Sequence, residues 1–118
     1  MAQLYRYVCG HCGYEIETCR GPYDALMIDE FVTARCSKCK TVSRYFRRFD
    51  LQIPEPFPFE DEGLSAEQIQ NVNTALEHCY CKECGSKGTL QLWSPASGCP
   101  KCGRKRTFKA SDIYILAD

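Results

Sequence analysis

Four Cys-x-x-Cys pairs decide most of what this 118-residue chain can fold into: Cys9-Gly-His-Cys12, Cys36-Ser-Lys-Cys39, Cys81-Lys-Glu-Cys84 and Cys99-Pro-Lys-Cys102. Each such turn presents two sulfurs on one side of a tight loop, and two turns brought together complete a tetrahedron of thiolates around an ion, with metal to sulfur distances of about 2.3 Å for zinc. A single pair suits redox chemistry, but four at this spacing point to two four-thiolate metal sites, with two zinc ions as the expected cofactors and iron as the alternative. Glycine follows the second cysteine of three turns, as Gly13, Gly85 and Gly103, and supplies the positive φ these turns favour. Lys40 takes that place after Cys39, which predicts a less regular second turn.

The intervals between the turns are 23, 41 and 14 residues, which invites pairing of neighbours. On that reading residues 1–50 form an N-terminal ribbon around Cys9, Cys12, Cys36 and Cys39. Residues 79–118 form a C-terminal ribbon around Cys81, Cys84, Cys99 and Cys102, and residues 51–78 connect the two. Modules of about 40 to 50 residues rarely hold a fold through apolar burial alone, so metal and folding are expected to be coupled. The first nine residues show no basic, apolar and small-residue sequence of a secretory signal, which favours reduced thiols and a cytoplasmic setting over a disulfide framework. Mean hydropathy is −0.38 and no apolar run approaches 18 residues, so no membrane span is expected.

Within the connecting segment, Pro54, Pro56 and Pro58 alternate with other residues and predict an extended, partly polyproline-II linker. Ser65-Ala-Glu-Gln68 matches a capping box, and Ile69, Val72, Ala75 and Leu76 fall at helical spacing, so one amphipathic helix is expected from 65 to about 78. Short strands are expected at Leu4 to Val8, Phe31 to Arg35, Thr41 to Phe49, Thr89 to Trp93 and Ile113 to Leu116. The predicted fold class is a small, metal-dominated, mainly β protein: two zinc ribbons of short antiparallel strands joined by a Pro-rich linker and one α-helix.

Basic and acidic residues balance at 15 each, which argues against a chain whose whole surface is a polycation. Their distribution is uneven. The net charge is +2 over residues 1–50, −6 over 51–80 and +4 over 81–118, and two four-thiolate sites holding divalent ions would bring the total to about −4. Two basic segments are candidate nucleic-acid contacts. One is Arg44-Tyr45-Phe46-Arg47-Arg48-Phe49, which interleaves guanidinium groups with rings able to stack on bases, although strand alternation would divide it between two faces. The other is Lys101, Arg104, Lys105, Arg106 and Lys109, five cations within nine residues beside the last metal turn. Trp93 is expected to pack in the core or at a hinge.

The four turns resemble those of the zinc-ribbon group, in particular proteins with two four-cysteine ribbons in tandem. That resemblance implies bound zinc and work in transcription, translation or nucleic-acid processing, or as a scaffold. Tyr7-Val-Cys9-Gly-His-Cys12-Gly-Tyr14 and Cys99-Pro-Lys-Cys102-Gly103 also resemble the first and second turns of a rubredoxin. The rubredoxin resemblance would place both in one iron site, whereas neighbour pairing assigns them to different modules. Residues 87–98 lack the acidic pair that transcript-cleavage factors carry at the tip of their second ribbon, so that activity is not expected.

Cys19 and Cys79 fall outside the four pairs. Cys79 is expected to be buried as a small apolar residue, with an alternative as a spare ligand, and a Cys19 to Cys79 disulfide would require the modules to face one another. His11 and His78 lie near the thiols but are expected to be solvent-exposed or to support the ligands. No set of nucleophile, base and orienting group is present, so the chain is expected to be a non-catalytic, zinc-binding module that associates with nucleic acid. The competing expectations are a protein adaptor that docks through residues 54–78 and an iron-bound electron carrier. No small-molecule substrate is expected.

Overall fold

The computed structural model describes residues 3–18, 23–25, 29–57, 64–104 and 108–115. Among these residues, seven strands and one α-helix follow in the order β1 (Gln3–Cys9), β2 (Glu15–Thr18), β3 (Tyr23–Ala25), β4 (Glu30–Cys36), β5 (Val42–Phe46), α1 (Ala66–Glu77), β6 (Leu90–Leu92) and β7 (Phe108–Ile115), with a short 3-10 turn at Pro95–Ser97 between the last two. The molecule is mainly β, with short antiparallel strands divided between two sheets. No helix among the described residues is long and apolar enough to cross a membrane.

The first sheet has the order β2-β1-β7. In β1 the alternate residues Tyr5, Tyr7 and Cys9 are buried, as the period of two in a half-buried strand requires. The last strand runs antiparallel to β1 from Gln3↔Ile115 to Cys9↔Phe108, so opposite parts of the chain lie side by side. The second sheet is built on β4, where every residue but Arg35 is buried. β5 covers one edge of β4, from Phe31↔Phe46 to Arg35↔Val42. The other edge is shared end to end by β3 against Glu30–Val32 and β6 against Ala34–Cys36.

Helix α1 begins with the capping box legible in the sequence: Gln68 N–H donates to Ser65 Oγ (3.2 Å) and Ser65 N–H to Gln68 Oε1 (2.9 Å). Val72 and Leu76 from its inner face are fully buried with Val32, Tyr45, Leu51 and Leu90 in the larger apolar cluster. The smaller cluster joins Tyr5, Tyr7 and Trp93 beneath the first sheet. Trp93 connects the two sheets. Its backbone N–H donates to Thr33 O in the second (2.9 Å), while its ring, with Nε1 donating to Gly98 O (3.1 Å), is buried in the cluster of the first.

The expected strand at Thr41 to Phe49 stops at Phe46, because Asp50 closes a turn there. Its Oδ2 accepts from Phe46 N–H (2.7 Å) and its own N–H donates to Phe46 O (3.0 Å). The final strand starts at Phe108, five residues before the expected Ile113, since β1 offers hydrogen bonds along that whole length; Leu116 lies outside the described residues. β2 and β3 are additional strands.

The described part of the proline-rich segment is held against the second sheet. Leu51 and Phe57 are buried, and the Phe57 ring meets Tyr23 edge-on at 6.4 Å. Arg47 Nη1 donates to both Ile53 O (2.9 Å) and Pro54 O (2.8 Å), and Glu30 Oε2 accepts from Phe57 N–H.

Candidate metal centres

All four Cys-x-x-Cys turns are built on one backbone plan. The residue after the second cysteine donates its N–H to the carbonyl of the first: Gly13 to Cys9 and Lys40 to Cys36 at 2.8 Å, Gly85 to Cys81 and Gly103 to Cys99 at 2.9 Å. The first cysteine in turn donates to a carbonyl five residues on: Cys9 to Tyr14, Cys36 to Thr41, Cys81 to Ser86 and Cys99 to Arg104, at 2.8–3.0 Å. This closure needs a left-handed residue in fifth place, and Gly13, Gly85 and Gly103 adopt φ of 78°, 75° and 76°. Lys40 adopts 60°, so the second turn keeps the regular geometry despite its missing glycine.

A side chain in that conformation costs about 1–2 kcal/mol. No atom lies within 4 Å of where a Cβ would stand at Gly13 or Gly103, so the penalty there is conformational alone. Gly13→Ala and Gly103→Ala are each expected to destabilise the metal-loaded protein by ~1–2 kcal/mol, and Lys40→Gly to stabilise it by up to ~1 kcal/mol. Urea denaturation midpoints measured at constant metal occupancy check both signs.

The turns do not pair as neighbours. Cys9 and Cys12 meet Cys99 and Cys102 in an outer group, and Cys36 and Cys39 meet Cys81 and Cys84 in an inner group, with the ligand atoms of each group within 4.8 Å of one another. The strand pairs set this nesting. β1 and β7 carry the first and fourth turns together, and β4 carries the second turn to the third by way of β6. Both pairings cross the divisions expected at 50/51 and 78/79. Neighbour pairing, expected from interval length, does not occur, because strand hydrogen bonding, invisible in spacing, decides which turns meet. The outer group also unites the two turns that resemble those of a rubredoxin.

The geometry of both groups fits an ion. A tetrahedral ion with metal to sulfur distances of ~2.3 Å needs sulfurs about 3.8 Å apart. The outer group has Cys9 to Cys102 and Cys12 to Cys99 at 3.6 Å, and the inner has Cys36 to Cys84 at 3.7 Å and Cys39 to Cys81 at 3.6 Å. These contacts are far longer than the bond of about 2.05 Å in a disulfide. Four soft thiolates would hold zinc or iron, and two such groups make this a metal-binding module.

The two groups differ in their surroundings. Thr89 Oγ1 lies 3.1 Å from Cys36 Sγ and Ser86 Oγ 3.4 Å from Cys84 Sγ, so hydroxyls reach two sulfurs of the inner group. Burial works to raise the Cys36 thiol, but the Thr89 hydroxyl and the N–H groups of Cys39 and Lys38 outweigh it and bring it down to about 6. In the outer group the Tyr14 backbone lowers the Cys12 thiol, yet burial and the sulfurs of Cys99, Cys9 and Cys102 push it up to about 12. Bridges run between the centres. Arg35 Nε donates to Pro100 O (3.1 Å) and Lys101 Nζ to Cys39 O (3.4 Å), while within the outer centre the Lys101 ammonium stands 5.3 Å from the Tyr14 ring centroid.

The remaining sequence candidates divide. Cys79 is outside both groups; it packs against the larger core and donates Sγ–H to Asp50 O (3.3 Å), while burial and Asp50 push its thiol up. Cys19 lies outside the described residues, and neither His11 nor His78 belongs to either group. Tyr45 is 1% exposed and Arg47 is 7% exposed, with Arg47 Nε bound to Glu30 Oε1 at 3.2 Å. Both therefore serve the core, and burial takes them out of reach of a nucleic acid, contrary to the expectation from sequence. Arg44 and Arg48 remain near the surface, Arg44 over the Phe31 ring at 5.6 Å and Arg48 over the Phe49 ring at 5.9 Å. Lys101 and Arg104 are exposed, Lys109 lies on β7 opposite Val8, and Lys105 and Arg106 lie outside the described residues. From the docking segment expected at 54–78, Pro54 O and Phe57 N–H, along with Val72 and Leu76, are engaged within the molecule.

No family model, curated protein or solved structure matches this chain.

Proposed function

We propose that this chain is a non-catalytic module with two zinc ions that associates with nucleic acid in the cytoplasm. The observation that carries the reading is the pair of sulfur tetrads, each with two contacts of 3.6–3.7 Å and all ligand atoms within 4.8 Å, the separations that suit a four-coordinate structural ion. Ions so enclosed hold a fold. The nucleic-acid part is supported by cations beside rings that reach the surface, with Arg48 Cζ 5.9 Å from the Phe49 centroid and Lys82 Nζ 5.4 Å from that of Phe46. The zinc-ribbon resemblance of the turns agrees with it.

Elemental analysis with a visible spectrum tests the metal: two zinc ions per chain in a colourless protein are expected. The union of the two rubredoxin-like turns favours one competing reading, iron at the outer centre, and a red protein with a reversible one-electron couple would select it. Association with nucleic acid is expected to weaken steeply with salt, since each neutralised phosphate releases counterions. Titration of a labelled oligonucleotide at about 50 and 200 mM salt measures the slope, and a flat response would reject phosphate contact.

A further inference from the structure

Three large apolar side chains stand exposed among the described residues, and two of them, Phe49 (65%) and Tyr80 (62%), line the same groove. It lies between the turn after β5 and the end of α1, holds about 530 Å³, and is floored by Tyr45, Leu51, Ala75 and Cys79. Phe49 meets Phe46 edge-on at 6.4 Å yet stays largely exposed, and two exposed rings on one concave surface form the kind of apolar patch a partner can cover. Each ring has a cation beside it. Arg48 Cζ stands 5.9 Å from the Phe49 centroid and Lys87 Nζ 5.8 Å from that of Tyr80. Lys82 belongs to the groove wall, its Nζ 5.0 Å from the Tyr45 centroid. Asp50 is the one carboxylate lining the groove, and it is already engaged by Lys82 Nζ (3.0 Å) and Phe46 N–H (2.7 Å).

We propose that this groove binds single-stranded nucleic acid, with Phe49 and Tyr80 stacking on unpaired bases and Arg48, Lys82 and Lys87 meeting the phosphates. The proposal rests on the nucleic-acid reading above and assigns its site. Exposed rings that stack need bases whose faces are open, which a duplex hides within its stack and a single strand presents. Arg48, paired with Asp29 at 3.4 Å, Lys82, paired with Asp50 at 3.0 Å, and Lys87 would extend to a phosphate backbone, and their approach to the rings would let one ligand engage both kinds of group. Tyr80, Lys82 and Lys87 carry no such signal in the sequence; the fold brings them to Phe49 by pairing the second metal turn with the third.

The test uses the full, metal-loaded chain and a fluorescein-labelled oligothymidylate of about 15 nucleotides, followed by anisotropy at low salt. Each of Phe49→Ala and Tyr80→Ala is expected to weaken binding on the order of tenfold, while Phe49→Tyr and Tyr80→Phe stay within about twofold of the parent. A duplex of equal length is expected to bind more weakly. Metal content equal to that of the parent shows that each variant is folded. Parent-like binding by Phe49→Ala/Tyr80→Ala would overturn the groove while leaving the nucleic-acid reading in place. Absence of salt-dependent binding by the parent protein to any oligonucleotide would overturn both.

Discussion

Replacing Cys9 and Cys102 together with serine is expected to cost the protein one bound ion, and replacing Cys9 and Cys36 together to cost it both. Neighbour pairing of the turns would reverse these outcomes, since Cys9 and Cys36 would then share an ion. Nesting assigns Cys9 and Cys102, 3.6 Å apart, to the outer group and Cys36 to the inner. Each structural zinc contributes on the order of 10–16 kcal/mol at neutral pH, as much as the whole stability of an ordinary domain. The outer loss should unfold the β2-β1-β7 sheet, whose cluster among the described residues joins Tyr5, Tyr7 and Trp93 to the ligands Cys9 and Cys99. The inner half, with Val72 and Leu76 of the helix in its larger cluster, should persist. Metal counting together with far-ultraviolet circular dichroism separates the cases: Cys9→Ser/Cys102→Ser should retain one ion and the helical signal.

Arg47→Ala is expected to destabilise the loaded protein by about 3–5 kcal/mol, the cost of leaving a buried charge without its partner. The guanidinium meets Glu30 Oε1 at 3.2 Å and donates to the carbonyls of Ile53 and Pro54. Asp29 and Glu30 are both buried, and they also receive backbone N–H groups: Asp29 from Arg48 (2.8 Å) and Glu30 from Phe57. Removing the arginine strands a carboxylate and releases the segment from 53 to 57. Arg47→Met combined with Glu30→Gln should recover part of the loss, because the uncompensated charge is gone. Urea denaturation at fixed zinc measures both variants, and a loss below ~1 kcal/mol for Arg47→Ala would show that this network does not hold the segment.

The sequence made local features legible. The capping box at Ser65 and Gln68, the inward face at Val72 and Leu76, and the positions of the four turns all depend on residues within a few places of one another. Trp93 in the core was also readable as a packing residue. The pairing of the turns was not, because β1 with β7 and β4 with β6 are contacts between distant segments, and spacing records only how far apart cysteines lie along the chain. Interleaved arginines and aromatics likewise said nothing about which would be buried. Arg47 looked like Arg44 and Arg48 until Glu30 and the carbonyls of residues 53 and 54 came to surround it. β2 had a signal, the alternation of Glu15-Ile16-Glu17-Thr18, whereas the three residues of β3 had none.

Nesting also sets an order of assembly. The inner sulfurs of Cys39 and Cys81 close a loop of 42 residues, and the outer sulfurs of Cys12 and Cys99 one of 87. Doubling a loop adds only about 0.6 kcal/mol of closure entropy, so the larger obstacle to the outer centre is timing. As the chain leaves the ribosome, the inner ligands are all present once Cys84 has emerged, whereas Cys9 and Cys12 wait for Cys99 and Cys102. Through that interval the first pair of thiols lacks its native co-ligands, which leaves it open to capture by a stray metal, a wrong thiol or an oxidant during synthesis.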